Sequence, residues 1–218
     1  MSGGWHAVDH YIADRLLGAD DALATTLAYN AAEGLPPIDV SAAQGKMLFL
    51  LAQMAGATRI LEVGTLGGYS TIWLARALPE GGSLVTLELE AHHAKVARAN
   101  FDRAGLSEKI DVLVGPAAES LAAMRADDPF DFVFIDADKQ SNARYIDEAI
   151  RLGRSGMTII VDNVVREGGV LDADSADERI QGTRALFDML NADPRLDATA
   201  IQTVGSKGWD GFVLARVR

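Results

Sequence analysis

What most constrains this chain is an alternation: from about Ser41 onward, short apolar strand-like runs are each followed by a stretch with helical spacing. The runs are RILEVG (59–64), SLVTLELE (83–90), KIDVLVG (109–115), FDFVFIDAD (130–138) and GMTIIVDN (156–163), with ATAIQTVG (198–205) and GFVLARV (211–217) near the end. The first five are almost continuously apolar, as parallel strands are when helices cover both faces. Between them TIWLARAL, AHHAKVARANFDRAG, AESLAAMRA and SNARYIDEAIRLG read as helices. Gly105 suits a C-terminal cap, and Ser141 or Asn142 an N-terminal one. A repeated β-then-α order implies right-handed crossovers. Only SKGWD joins the last two runs, which suits an antiparallel pair. The expected fold is α/β, a seven-stranded, mostly parallel sheet with one antiparallel strand and helices on both faces.

Residues 8–33 and 41–56 read as helices ahead of the sheet, separated by GLPPIDV, where Pro36 and Pro37 exclude helix. The first residues, Trp5 and His6 among them, are expected to be unordered, the alternative being that these two reach the pocket. A length of 218 residues suits one domain: residues 1–57 form a helical cover or dimer element and 58–218 the α/β core. No apolar run reaches the length of a membrane span, and MSGGWHAVDHYIADRLLG lacks the basic-then-apolar pattern of a targeting signal. No membrane partner is expected. There is no cysteine, so disulfide and thiolate chemistry are excluded and a cytoplasmic setting is the simplest. A net charge of −11 opposes a nucleic-acid partner. The acids of DDALATT and DADSADE read as solvated surface, and His10, His92 and His93 as helix-face residues without a role.

LEVGTLGGYST (61–71) joins the first strand to its helix. Gly64 allows a tight turn, while Gly67 and Gly68 let a ligand approach the backbone. Leu66 and Tyr69 interrupt the GxGxxG pattern, which disfavours a dinucleotide. Glu88 ends the second strand, where an acid can accept ribose hydroxyls. Glu62 can receive an ammonium, and Ser70 and Thr71 can donate to a carboxylate. An amino acid joined to a ribose describes S-adenosylmethionine better than a nicotinamide dinucleotide.

The fourth strand ends in Asp136-Ala137-Asp138-Lys139 and the fifth in Asp162-Asn163. Neighbouring parallel strands carry these tips to the ligand-binding edge of the sheet. Two carboxylates and an amide oxygen suit Mg²⁺, and also Mn²⁺ or Ca²⁺, whereas zinc favours His and Cys. The alternative for these acids is helix capping. Lys139 stands at the mouth of the same site. A lysine partly desolvated beside a metal has a lowered pKa and can accept a proton from a metal-acidified hydroxyl.

LEVGTLGGYST, TLELE, GPAAESL, FIDADK and VDN, in this order and spacing, resemble the cation-dependent O-methyltransferases of the caffeoyl-CoA and catechol O-methyltransferase type, small bacterial members included. The resemblance runs from about Ile38 to the end. It implies a Rossmann-like S-adenosylmethionine-dependent methyltransferase fold and methyl transfer to a hydroxyl of a small aromatic vicinal diol. By position it implies cofactor contacts at Val40, Glu62, Gly64, Thr65, Ser70, Glu88, Ala117, Asp136 and Asp138. It implies metal ligands at Asp136, Asp162 and Asn163, and a catalytic Lys139 with Asp136. A homodimer is expected, with the N-terminal helices and the loop VREGGVLDADSADERIQG (165–182) shaping the acceptor pocket. The Gly and Asp content of that loop suits a mobile lid. Arg166 and Trp209 are acceptor candidates, Trp209 equally a packing residue of the last hairpin.

Three rivals remain. A metal-independent methyltransferase acting on another small molecule, RNA or protein would need no Asp/Asn set. A nicotinamide-dependent oxidoreductase would need the GxGxxG loop, and a non-catalytic module would have no use for Lys139 beside these ligands.

Overall fold

The computed structural model describes residues 3–218; residues 1 and 2 of the expected cover lie outside it. Its strands are β1 (Arg59–Val63), β2 (Ser83–Glu88), β3 (Ile110–Val114), β4 (Phe130–Ile135), β5 (Gly153–Asp162), β6 (Leu196–Gly205) and β7 (Gly208–Val217). They form one seven-stranded sheet in the order β3-β2-β1-β4-β5-β7-β6. All pairings are parallel except those that β7 makes with β5 and β6. The single antiparallel strand is therefore β7.

Every residue of β4 is buried, because β4 sits mid-sheet between β1 and β5. Its side chains alternate between two cores, as strand geometry requires. Phe132 and Phe134 face α3 (Ala42–Met54), α4 (Tyr69–Ala77) and α5 (Ala91–Ala104), packing with Leu48, Ile72 and Phe101. Val133 and Ile135 face α6 (Ala117–Ala123), α7 (Asn142–Leu152) and α8 (Glu178–Ala192), packing with Leu121, Ile146 and Leu186.

The structure corrects four expectations. β3 is an edge strand with Asp111, Leu113 and Val114 exposed, so its apolar run is not covered on both faces. The N-terminal helices are α1 (Gly3–Leu16) and α2 (Asp21–Ala32), so Trp5 and His6 are helical. Gly18, with φ of 69°, separates the two helices, and Asp20 caps α2 by accepting the Leu23 amide at 3.1 Å. Ser141 occupies the cap position of α7 but makes no side-chain cap bond, a 3₁₀ turn (Lys139–Ser141) leading into the helix instead. Lastly, α8 begins inside the expected lid, with Asp177 as its N-cap. This helix escaped the sequence pattern because its buried face is Gly182, Thr183 and Leu186, of which the first two are poor helix formers.

Candidate active site

β4 and β5 pair with Ile135 opposite Val161, so Asp136 and Asp162 leave the sheet side by side. Asp162 is only 5% exposed. Burial, and then the charge of Asp136, push its carboxyl up to about 7, against the opposing pull of Lys139 and a hydrogen bond from Gln44 on α3. Lys139, itself 6% exposed, donates through Nζ to Asp136 Oδ1 at 2.8 Å. One buried ammonium thus faces two acids, and the cluster favours a further positive charge. Asn163 follows in the left-handed region with φ of 59°, a conformation asparagine tolerates. Its amide donates to Asp162 Oδ1 at 2.9 Å. Among the described residues no three His, Cys, Asp or Glu side chains gather as metal ligands. The oxygens at this edge are those of two carboxylates and the adjacent asparagine, a hard set that fits a divalent ion such as Mg²⁺.

The turn that carries Lys139 is seated by α8. A Cβ on Gly182 would lie 2.5 Å from the Lys139 carbonyl oxygen and 2.4 Å from Gln140 Cα, so glycine lets the two backbones touch. Asp138 is exposed and accepts the Tyr145 hydroxyl. Burial, and then Asp138, raise that phenol to about 12.

Because β7 runs antiparallel, its first residues reach the same edge. Asp210 Oδ1 accepts the amides of Val165 and Arg166 at 2.9 and 3.1 Å and that of Gly211 at 2.9 Å. This pins the segment after Asn163, where Arg166 and Glu167 both take positive φ. A 3₁₀ turn (Arg166–Leu171) follows, and Arg184 of α8 donates to the Val170 carbonyl at 2.7 Å. The lid expected over 165–182 is thereby held at its start and merges into α8. Trp209, 37% exposed, lies over Gly168 and donates through Nε1 to Gln202 Oε1 at 3.0 Å. It therefore packs the hairpin, on the same edge as Arg166.

On the other flank, the glycines of LEVGTLGGYST answer first to the protein itself. A Cβ on Gly64, at φ of 99°, would lie 2.2 Å from the Asp136 carbonyl oxygen; the loops after β1 and β4 are in backbone contact. A Cβ on Gly67 would meet the Asn30 side chain at 2.0 Å, and one on Gly68 the Phe101 ring at 2.3 Å. Glu88, 7% exposed, accepts the amides of Thr65 and Leu66 on Oε2 at 3.1 and 2.7 Å. His93, expected to have no role, brings Nδ1 to 3.5 Å from Glu88 Oε1. Ala117 is the first residue of α6. Val40 is buried in the core beside α3.

Glu62 is wholly buried, and its carboxylate is already engaged: Ser70 donates at 2.6 Å, Thr86 at 2.7 Å, and Thr71 also donates. The hydroxyls of Ser70 and Thr71 thus serve the protein's own acid. Burial raises the Glu62 carboxyl from 4.5 to about 7, the three hydroxyls opposing the rise. A carboxyl raised on folding contributes stability that is complete below its unfolded value, near 4.5, and is lost as pH climbs through about 7. That displacement corresponds to roughly 3 kcal/mol. Glu62→Gln is expected to flatten the fall in thermal midpoint between pH 5 and 8, measured by calorimetry; a slope equal to that of the unsubstituted chain would refute the assignment.

Residues 19–217 match the family described as O-methyltransferase. The chain belongs to the O-methyltransferase family. It is 54% identical to a catechol O-methyltransferase of Mycobacterium tuberculosis over 97% of this chain and 95% of that one. It is 48% identical to a catechol O-methyltransferase of Niastella koreensis over 98% of both. A crystal structure of the O-methyltransferase from Bacillus cereus in complex with S-adenosylhomocysteine (SAH) superposes with a TM-score of 0.98, at 53% identity and covering 100% of both chains. The family and the Rossmann-like methyltransferase fold are those the FIDADK and VDN motifs lead one to expect, and the enzyme class is S-adenosylmethionine-dependent O-methyltransferase.

Several residues of this O-methyltransferase's site were not singled out from the sequence. Thr86 begins TLELE and stands opposite Glu62 in register, but the motif does not disclose that its hydroxyl donates to the buried acid. Gln44, Asp210 and Gly182 reach the site from elements remote in sequence, and only the folded topology brings them there.

Proposed function

We propose that this enzyme uses a divalent cation to direct methyl transfer from S-adenosylmethionine to one hydroxyl of a small aromatic vicinal diol. One observation carries this: two neighbouring strand tips place Asp136 and Asp162 together, with Asn163 next in sequence and a buried Lys139 within 2.8 Å of Asp136. The names of the catechol O-methyltransferase relatives support a catechol-like acceptor. The SAH of the Bacillus cereus structure supports the methyl donor.

In this reading Asp136, Asp162 and Asn163 hold the cation, with Mg²⁺ ahead of Mn²⁺ and Ca²⁺. Bound there, a divalent ion supplies Lewis acidity to a chelated hydroxyl. Glu88 takes the ribose hydroxyls, and Glu62, acting through Ser70, orders the loop at the amino-acid end. Gly64, Thr65, Val40, Ala117, Asp136 and Asp138 complete the cofactor side. Arg166, at the mouth, orients the acceptor, with Trp209 flanking it. Lys139, in its neutral amine form, receives the hydroxyl proton on Nζ. The acceptor oxygen forms its bond to the methyl carbon as the carbon–sulfur bond breaks, and the electron pair stays on sulfur. Holding the two reactants in line supplies much of the acceleration.

Residues 1–218 act as one methyltransferase unit on this reading, with 1–57 as its cover. Arg76 of α4 donates to Asp20 Oδ2 at 2.5 Å across that division. A homodimer in the cytoplasm follows from the family resemblance and the lack of cysteine. Among the described residues no helix is long and apolar enough to cross a membrane.

Methyl transfer from labelled S-adenosylmethionine to a panel of catechols and matched monophenols tests the proposal. Turnover confined to the catechols, abolished by EDTA and restored by Mg²⁺, is the expected result. Full activity in EDTA would leave a metal-independent methyltransferase in its place.

A further inference from the structure

Helix α2 belongs to the N-terminal cover, yet it carries a wholly buried polar side chain beside the glycine loop. Asn30 and Asn100 are 2% and 1% exposed. Asn100 Nδ2 donates both to Asn30 Oδ1 and to the Gly67 carbonyl, each at 2.9 Å. Asn30 Nδ2 donates in turn to Asp39 Oδ1 at 3.0 Å, one residue ahead of Val40. Arg103 Nη1 donates to Asn100 Oδ1 at 3.0 Å, with its guanidinium 3.8 Å from the centre of the Tyr29 ring. Both amide oxygens and both amide nitrogens are used. Burying two amides is costly unless every bond is made, whereas an apolar pair would fill the same volume without that demand.

The gripped carbonyl is what gives this network a functional meaning. Gly67 lies between Leu66 and Gly68, both at positive φ (51° and 84°). Glu88 holds the amides of Thr65 and Leu66 from the β2 side. Asn100 holds the next carbonyl from the α5 side, and Asn30 closes against Gly67 where a Cβ would stand. We infer that the Asn30–Asn100 amide pair is a positioning device for the methyl donor, locking the 64–68 loop to helix α2 and to the Asp39–Val40 segment. This rests on the proposal that the loop holds the cofactor. It makes the N-terminal cover part of donor binding as well as of the acceptor side.

An amide–carboxylate exchange tests it. Asn30→Asp sets two carboxylates face to face with no hydrogen between them. The double variant Asn30→Asp/Asp39→Asn reverses the polarity: the new amide donates to the new carboxylate, whose second oxygen still accepts Asn100. SAH affinity by titration calorimetry, kcat at saturating S-adenosylmethionine and the thermal midpoint are measured for each. Asn30→Asp is expected to weaken SAH by about ten-fold, as for loss of one or two buried hydrogen bonds, with kcat at saturation within about two-fold. The double variant should recover the affinity. A folded Asn30→Asp enzyme with a lowered thermal midpoint but unchanged SAH affinity would overturn the inference, as would a double variant that stays weak. Asn100→Ala, which frees the Gly67 carbonyl directly, covers the case where Asn30→Asp does not fold; undiminished SAH affinity there overturns it equally. Glu88→Ala separates the two levels. If it binds SAH normally, the assignment of the loop to the donor has failed; if it alone loses affinity, only the role of the asparagines has.

Discussion

Asp162→Ala is expected to lower methyl transfer roughly a thousand-fold while leaving SAH affinity unchanged. The size follows from the several kcal/mol that Lewis-acid activation supplies, about 4 kcal/mol being equivalent to that factor. The selectivity follows from position. Asp136 is tied to the glycine loop proposed to hold the cofactor, since its amide donates to the Val63 carbonyl at 2.8 Å and its own carbonyl abuts Gly64. Asp162 instead accepts the Asn163 amide, away from that loop. A second readout needs no turnover. The Asp162 carboxyl is raised to about 7, so its contribution to stability is complete below the unfolded value and disappears as pH rises through about 7. The metal-free protein should therefore lose stability across that window through this group, and Asp162→Ala should lose less. Mg²⁺, favouring the charged form, should raise the thermal midpoint of the unsubstituted protein at pH 8 and do nothing for the variant. A chelator-resistant, fully active Asp162→Ala enzyme would remove the cation from the proposal altogether.

The proposed ligand set and the glycine loop stand out in the sequence because they lie on short segments at strand ends, FIDADK at the end of β4, VDN at the end of β5 and LEVGTLGGYST at the end of β1. FIDADK and VDN need only the knowledge that parallel strands end at one edge. The mouth of the site is different. Asp210 acts on Val165 and Arg166 from 44 or more residues away, and nothing local to WDG marks it as the staple of another loop. α8 was illegible for a related reason: Gly182 weakens the local helix signal in order to let backbone meet backbone at Lys139. The glycines of the 64–68 loop show the converse, residues whose need for close approach is met first by the protein itself. Gly67 and Gly68 were expected to make room for a ligand, and the groups standing closest to them are Asn30 and Phe101. In each case the missing information is a contact between distant segments, which the spacing of residues within a motif does not contain.

Lys139→Met is expected to reduce kcat by about a hundred- to ten-thousand-fold near pH 7, the range for loss of a positioned general base. The deficit should shrink as pH rises, because an acceptor already ionised in solution no longer needs the lysine. Loss of a base must be separated from loss of the ion pair with Asp136, since Nζ donates to Oδ1 at 2.8 Å and removing it leaves two acids without their counter-charge. Lys139→Arg makes that separation. A guanidinium keeps the positive charge and can pair with a carboxylate, but it does not give up its proton at any working pH. If Lys139 is the proton acceptor, Lys139→Arg should be as slow as Lys139→Met at pH 7, while recovering the thermal midpoint that Lys139→Met alters. If the lysine serves only to neutralise Asp136 and Asp162, Lys139→Arg should turn over near the unsubstituted rate, and Lys139→Met should be rescued by Mg²⁺ concentration instead of by pH. The pH–rate profile of the two variants side by side decides between these, because only a missing base predicts that both converge on the parent enzyme in alkaline solution.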